Sequence, residues 1–167
     1  GFSYDLYTKT SDEKHIRFVQ SFHKKLYSGT YTEERKVKQA YCPTCAKVLT
    51  DRFIIGTCPS CGAKTRGEQC DSCNQILDIE TLLDTYCAEC NTPLTYQDST
   101  QIFLLISKLK EELTTYLESH PYWRKNAIAF TKRYIDEGLR DRAITRDLDW
   151  GIDVPCDGYE EKRIYIW

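Results

Sequence analysis

The chain contains no methionine and only three histidines, and no stretch of it is apolar for long enough to matter to a membrane. A spanning helix needs about 20 consecutive apolar residues, and nothing here approaches that. With no signal peptide evident, the protein is expected in the cytoplasm. Charge is not one-sided either: 23 Lys and Arg against 25 Asp and Glu give a formal −2, which argues against a general polyanion binder and against DNA as a partner. The missing methionine includes the initiator, since the chain starts at Gly1, so it is expected to be a piece of something longer. Scarcity of histidine also bears on metal chemistry. Catalytic zinc often uses imidazole and keeps an open position, whereas His15, His23 and His120 all lie outside the cysteine-rich stretch.

What the chain has in excess is cysteine. Eight of its nine fall into four C-x-x-C pairs: Cys42/Cys45, Cys58/Cys61, Cys70/Cys73 and Cys87/Cys90. Two residues between thiols let a tight turn aim both sulfurs at one metal, and two such knuckles close a tetrahedron. Cys-Pro-Thr-Cys, Cys-Pro-Ser-Cys and Cys-Asp-Ser-Cys carry turn-forming inserts, and Gly62 follows one directly. Cys-Ala-Glu-Cys is less typical. Disulfides or a thioredoxin-like redox pair are the competing explanations, but a redox motif normally occurs once, near a βαβ pattern. Four pairs predict two structural Zn²⁺ sites. Sequential, nested and interleaved pairings are all open; the short polar segment from Ala63 to Gln69, with Gly67, favours nesting Cys58/Cys61 with Cys70/Cys73. Eight thiolates around two Zn²⁺ would take the formal charge to about −6, which Lys47, Arg52, Lys64 and Arg66 would offset locally. The ninth cysteine, Cys156, is expected to be a small buried hydrophobe.

Around this stretch the pattern is α+β, with helices flanking a small β structure that carries the knuckles. Ile16, Val19, Phe22 and Leu26 recur on one face and predict a helix over about 12–27, capped by Thr10 or Ser11, with Gly29 past its end and His23 solvated. Residues 30–41 suggest an extended arm, 52–55 a strand, 79–83 a helical turn, and 94–96 and 101–106 two further strands. Leu109, Leu113, Tyr116 and Leu117 predict a helix over about 107–119 with Ser107 as cap, and a second helix over 122–137 ends at Gly138. These two should pack as a hairpin or against the first helix. Ile164 to Trp167 resumes alternation and should enter a sheet.

Residues 141–155, Asp-Arg-Ala-Ile-Thr-Arg-Asp-Leu-Asp-Trp-Gly-Ile-Asp-Val-Pro, resemble the segment of methionyl-tRNA synthetases that leads from the connective peptide back into the catalytic domain. The knuckles upstream, the opening Gly-Phe-Ser-Tyr-Asp and the closing Arg-Ile-Tyr-Ile-Trp are similar to that family in the same order. The resemblance implies an interior fragment: lead-in segment and helix over 1–29, zinc-knuckle connective peptide over 30–106, helical hairpin over 107–140, and return into the catalytic Rossmann domain over 141–167. It also implies a parent that attaches methionine to tRNA with ATP and Mg²⁺ through methionyl-adenylate, the knuckles helping to place the tRNA acceptor end. Family members that keep only the inner knuckles on one zinc support nested pairing. By position, Arg146 resembles the arginine that assists adenylate formation, with an ion pair to Asp147 or Asp149 as the alternative; Trp167 resembles the tryptophan lining the methionine pocket. Asp153 stands where the family commonly has proline. Segments like His-Ile-Gly-His and Lys-Met-Ser-Lys-Ser, which the family needs to activate ATP, are not in these residues, so the isolated chain is expected to be inactive. A stand-alone zinc-ribbon module binding RNA or protein is the other reading.

Overall fold

The computed structural model describes residues 1–67 and 69–165 and resolves into two compact units. One comprises Gly1–Arg35 with the stretch from Gln101 onward, the other Lys36–Thr100. The chain leaves the first unit along β1 (Thr32–Cys42) and returns along β6 (Thr95–Leu104), and these two strands are neighbours in one sheet. Leu105 N–H donates to Tyr31 O at 2.8 Å at one end of the pair, and Thr95 Oγ1 donates to Tyr41 O at 3.3 Å at the other. The arm predicted over 30–41 is therefore strand. The two strands expected around 94–106 are a single one, uninterrupted by the polar run Gln97 to Thr100 because β1 supplies its backbone partners.

In the first unit, α1 (Glu13–Tyr27) follows its predicted span. Its N-cap position is Asp12 rather than Thr10 or Ser11, and the Asp12 carboxylate turns back to accept from Thr8 Oγ1 and Lys9 N–H. Val19 is buried with Ile102, Ile144, Ile152, Val154, Tyr159 and Ile164, and Ile16, Leu26, Tyr27, Leu104 and Cys156 pack around them. His23 is buried, not solvated: its Nδ1 and the Tyr27 hydroxyl, one turn on, are 2.9 Å apart. α2 (Lys110–Glu118) and α3 (Lys125–Asp136) pack as a hairpin, while α1 lies on β9 (Ile152–Asp153). Ser107 does not cap α2. A 3-10 turn over Ile106–Leu109 precedes the helix, and the Ser107 hydroxyl and N–H both go to Asp141 Oδ1, at 2.7 and 3.1 Å. Gly138 ends α3 with φ of +100°, the left-handed region that glycine enters without steric cost. β7 (Arg142–Ala143) pairs with β6, and β8 (Thr145–Arg146), β10 (Arg163–Ile164) and β9 form an antiparallel sheet in that order.

The second unit has a thin aliphatic core, Ala40, Leu49, Ile54, Leu77 and Leu82, and the other members of its buried hydrophobic cluster are cysteines: Cys42, Cys58, Cys70 and Cys87. β2 (Lys47–Val48) pairs with β1, and β3 (Ile54–Thr57) runs between β4 (Lys64–Arg66) and β5 (Leu83–Cys87). The strand expected at 52–55 begins only at Ile54, because Asp51–Phe53 forms a 3-10 turn first; the turn expected at 79–83 is a 3-10 turn over Ile79–Thr81. Gly56 on β3 lies close against the chain entering β5. A Cβ there would stand 3.0 Å from both Leu82 Cβ and Leu83 O.

Candidate metal centres and the Arg146 strand

Each C-x-x-C pair sits in the same small fold, a turn whose flanking residues form an antiparallel rung. In the second knuckle Cys58 N–H donates to Ala63 O and Gly62 N–H to Cys58 O, both at 2.9 Å. Cys70 with Gln75 and Asn74, and Cys87 with Thr92 and Asn91, repeat this, and in the first knuckle Cys42 is the register partner of Lys47. The residue after the second cysteine is left-handed in all four: Ala46 at φ 52°, Gly62 at 73°, Asn74 at 57° and Asn91 at 58°. Glycine and asparagine tolerate that conformation, so three of the four knuckles announce their turn in the sequence beyond the cysteines. Asn74 and Asn91 are as much a turn signal as Gly62, the one singled out from sequence.

The knuckles meet in nested order. Cys42, Cys45, Cys87 and Cys90 form one group and Cys58, Cys61, Cys70 and Cys73 the other, with all four sulfurs of each lying within 4.8 Å of one another. In the first group Cys42–Cys90, Cys45–Cys90 and Cys45–Cys87 are 3.4, 3.5 and 3.9 Å apart; in the second, Cys61–Cys70 and Cys58–Cys73 are 3.6 and 3.9 Å apart. A disulfide is near 2.05 Å, and all nine cysteines are free. Four sulfurs at about 2.3 Å from a central Zn²⁺ have tetrahedral edges of about 3.8 Å. The observed separations bracket that value, so the donor sets fit a tetrathiolate metal site.

Electrostatics within the groups point the same way. Thr92, through its hydroxyl and its N–H, holds the Cys90 thiol down to about 6, while hydrogen bonding with Cys90 and Cys42 pushes Cys45 up to about 12. The Cys73 N–H, against burial, holds Cys70 down to about 6; although Ala63 N–H favours the Cys61 thiolate, burial and the facing sulfurs push it up to about 12. Four crowded sulfurs cannot all ionise unless a cation joins them. Lys47 contributes some positive charge to the first group. Its ammonium is 2.8 Å from Glu89 Oε2, and Glu89 first, then Cys45 and Cys87, raise its pKa. Lys64 instead lies 5.8 Å over the Tyr86 ring, and Arg52 and Arg66 are exposed.

Arg146 lies half-buried on β8, in register with Arg163, its guanidinium 4.9 Å over the Tyr165 ring. Beside it runs a polar network that sequence reasoning missed. Thr145 and Gln101 are wholly buried; Thr145 Oγ1 donates to Gln101 Oε1 at 2.7 Å and accepts from Ile102 N–H at 3.0 Å. Gln101 Nε2 donates to Asp147 Oδ2 at 2.6 Å, and Lys162 pairs with Asp147 Oδ1. In sequence Asp147 stands out only as a counterion for Arg146, whereas these two partners come from 46 residues upstream and 15 downstream. Trp167 lies outside the described residues. Cys156, half-buried against the first unit's core, is a member of neither sulfur group.

Comparison with known proteins gives a consistent result. The family model for class I tRNA synthetases of the (M) type matches residues 1–167. The methionine–tRNA ligase 1 of Alkaliphilus oremlandii is 46% identical over 168 residues, covering 100% of this chain and 31% of its own length. That of Streptococcus pneumoniae is 44% identical over 170 residues, with the same coverage. In fold, the chain is similar to Mycobacterium tuberculosis methionyl-tRNA synthetase in complex with methionyl-adenylate, at a TM-score of 0.59 and 16% identity, covering 98% of this chain and 28% of that one. The chain thus spans about three-tenths of the length of the curated relatives it matches. No helix among the described residues is long and apolar enough to cross a membrane.

Proposed function

Because the chain belongs to the class I tRNA synthetases of the (M) type, we propose that it is the connective-peptide region, with adjoining catalytic-domain segments, of a methionine–tRNA ligase. The parent attaches methionine to tRNA through methionyl-adenylate, using ATP and Mg²⁺. The observation that carries this reading is the pair of four-sulfur groups inside a chain matched along its whole length by one family model. Eight thiols that must stay reduced fit a cytoplasmic enzyme.

Cys42, Cys45, Cys87 and Cys90 would hold one Zn²⁺ and Cys58, Cys61, Cys70 and Cys73 the other. Bound there, with four protein ligands each, the metals supply cross-links that hold shape. The chain's own residues then keep the knuckle loops in one conformation, on which the acceptor end of the tRNA is placed. In the first unit, Arg146 supplies a fixed cation toward the reacting carboxylate and α-phosphate of adenylate formation. Its strand is anchored by the wholly buried Thr145 and its ring contact is Tyr165, which limits the directions the guanidinium can take. Trp167 lines the pocket for the methionine side chain, a use suited to sulfur–aromatic contact.

Pyrophosphate exchange tests the assignment. The 167-residue chain alone shows none, because an arginine stabilises a reacting phosphate only when other groups hold the nucleotide in reach. In the full-length ligase, Arg146→Ala slows exchange by about 10²-fold or more. Exchange by the chain alone refutes its dependence on the rest of the ligase, and normal exchange in full-length Arg146→Ala refutes the role of the arginine.

A further inference from the structure

The two sulfur groups are alike in their ligands and unlike in what surrounds them. In the Cys42/Cys45/Cys87/Cys90 group the two knuckles are tied together by side chains. Thr44 and Thr92 hydroxyls are 2.8 Å apart across the knuckle boundary, and Lys47 of the first knuckle pairs with Glu89 inside the fourth at 2.8 Å. Cys90 Sγ also donates to the Thr92 hydroxyl, at 3.2 Å. Cys42 and Cys87 are buried and Cys45 and Cys90 half-buried.

The Cys58/Cys61/Cys70/Cys73 group buries Cys58 and Cys70 as deeply, but among the described residues it has none of these side-chain ties. Its residues at the matching positions are Ser60 and Ser72, in place of Thr44 and Glu89, and Ala63 and Gln75, in place of Lys47 and Thr92. Gln75 Nε2 is spent on Ile76 O in its own loop, and among the described residues no side-chain hydrogen bond crosses between the two knuckles apart from the sulfurs. Thr65 Oγ1 donates to Gln69 O within the connecting turn. Cys61 and Cys73, one from each knuckle, are exposed.

Taking both groups as metal centres, as proposed above, we infer that they differ in permanence: the Cys42/Cys45/Cys87/Cys90 centre is locked, and the Cys58/Cys61/Cys70/Cys73 centre is the exchangeable one. Exchange proceeds through Cys61 and Cys73, where a small thiolate or other soft donor reaches the metal and displaces a protein sulfur. At the locked centre Thr92 is the positioning residue. Its hydroxyl orients Cys90 and, through Thr44, fixes one knuckle to the other, so a displaced Cys90 is held in place to rebind. Partners of this kind around metal ligands typically govern 10- to 100-fold in metal affinity.

The test uses the reduced 167-residue chain loaded with zinc, its zinc content measured first. A chromogenic pyridylazo chelator is then added in excess with N-ethylmaleimide, and the alkylated cysteines are read by peptide mass spectrometry. Zinc release is expected in two phases of one equivalent each. Labelling of Cys61 and Cys73 accompanies the fast phase, and labelling of Cys45 and Cys90 the slow one. Thr92→Val should speed the slow phase about tenfold or more and leave the fast phase unchanged, while Thr92→Ser, which keeps the hydroxyl, restores slow release. Fewer than two zincs bound at the start overturns the metal assignment itself. Two zincs leaving in a single phase, a fast phase that maps onto Cys45 and Cys90, or a Thr92→Val variant that releases like the parent overturns only the difference between the centres.

Discussion

Replacing Thr145 by valine keeps the shape of the side chain and removes one oxygen, yet that oxygen serves two buried groups. Ile102 N–H donates to it at 3.0 Å, and it donates in turn to Gln101 Oε1 at 2.7 Å, with Thr145 and Gln101 both fully enclosed. Each buried polar group left without its partner costs about 1–3 kcal/mol, so losing this oxygen from two groups should destabilise the first unit by roughly 2–6 kcal/mol in Thr145→Val. Thr145→Ser keeps both bonds and loses one methyl, which by analogy with other single-methyl deletions costs about 0.5–1.5 kcal/mol. Trp123 and Trp150 belong to the first unit, so their fluorescence reports on it in urea. At a typical dependence of about 1.5 kcal/mol per molar urea, a loss of about 3 kcal/mol lowers the midpoint by about 2 M. A valine variant as stable as the serine variant would mean that the hydroxyl is not what holds β8 to β6.

Three further outcomes are expected. Asp141 is partly buried, which raises a carboxyl, but donation from Ser107 and Arg35 outweighs this and leaves it below its ordinary 3.8. Its contribution is therefore full above that value and fades as the pH falls through the lower folded pKa; acid titration of stability should show the gap between the parent and Asp141→Asn constant above about pH 5 and closing below about pH 4. Ala46 is the one knuckle residue holding a left-handed turn with a Cβ that neither glycine nor asparagine chemistry excuses, and relieving strain of about 1 kcal/mol, less the extra chain entropy of glycine, Ala46→Gly should raise the melting temperature of the second unit. Chelation under reducing conditions should strip amide protection from residues 42–90 while the core around Val19 and Ile144 keeps its own. Each structural zinc contributes about 10–16 kcal/mol in finger peptides, against about 1.5–3 kcal/mol for each buried aliphatic, and among the described residues the second unit fully buries only Leu49, Ile54, Leu77 and Leu82 as large ones. Unchanged exchange after zinc removal would contradict this.

How far the sequence disclosed the fold depended on where each residue finds its partner. The span of α1, the nested knuckles and the arm that became β1 are set by neighbours close in sequence or by ligand spacing, and they are readable from it, although Phe22, expected on the apolar face of α1, is exposed. His23 is also within reach, since Tyr27 lies one turn away on the same face. Ser107 is not, because Asp141, which takes its hydroxyl, is 34 residues on. β6 reads as two strands for a related reason: its middle is polar, and only the pairing with β1 makes it continuous. Of the candidate metal centres, the cysteines and their grouping are legible, and so in principle are Asn74 and Asn91. The Thr44–Thr92 and Lys47–Glu89 links are not, since they join residues brought together only after the outer knuckles meet.

The strands β1 and β6 run side by side as the two crossings of the chain between its units, with Tyr31 bonded to Leu105 and Tyr41 to Thr95. A segment whose two ends are already neighbours is a cassette. Loop closure between adjacent strands costs the host little more whether the insert is long or short, because the entropic cost grows only with the logarithm of length. Loop closure by itself therefore sets little limit on how long the knuckle region can be.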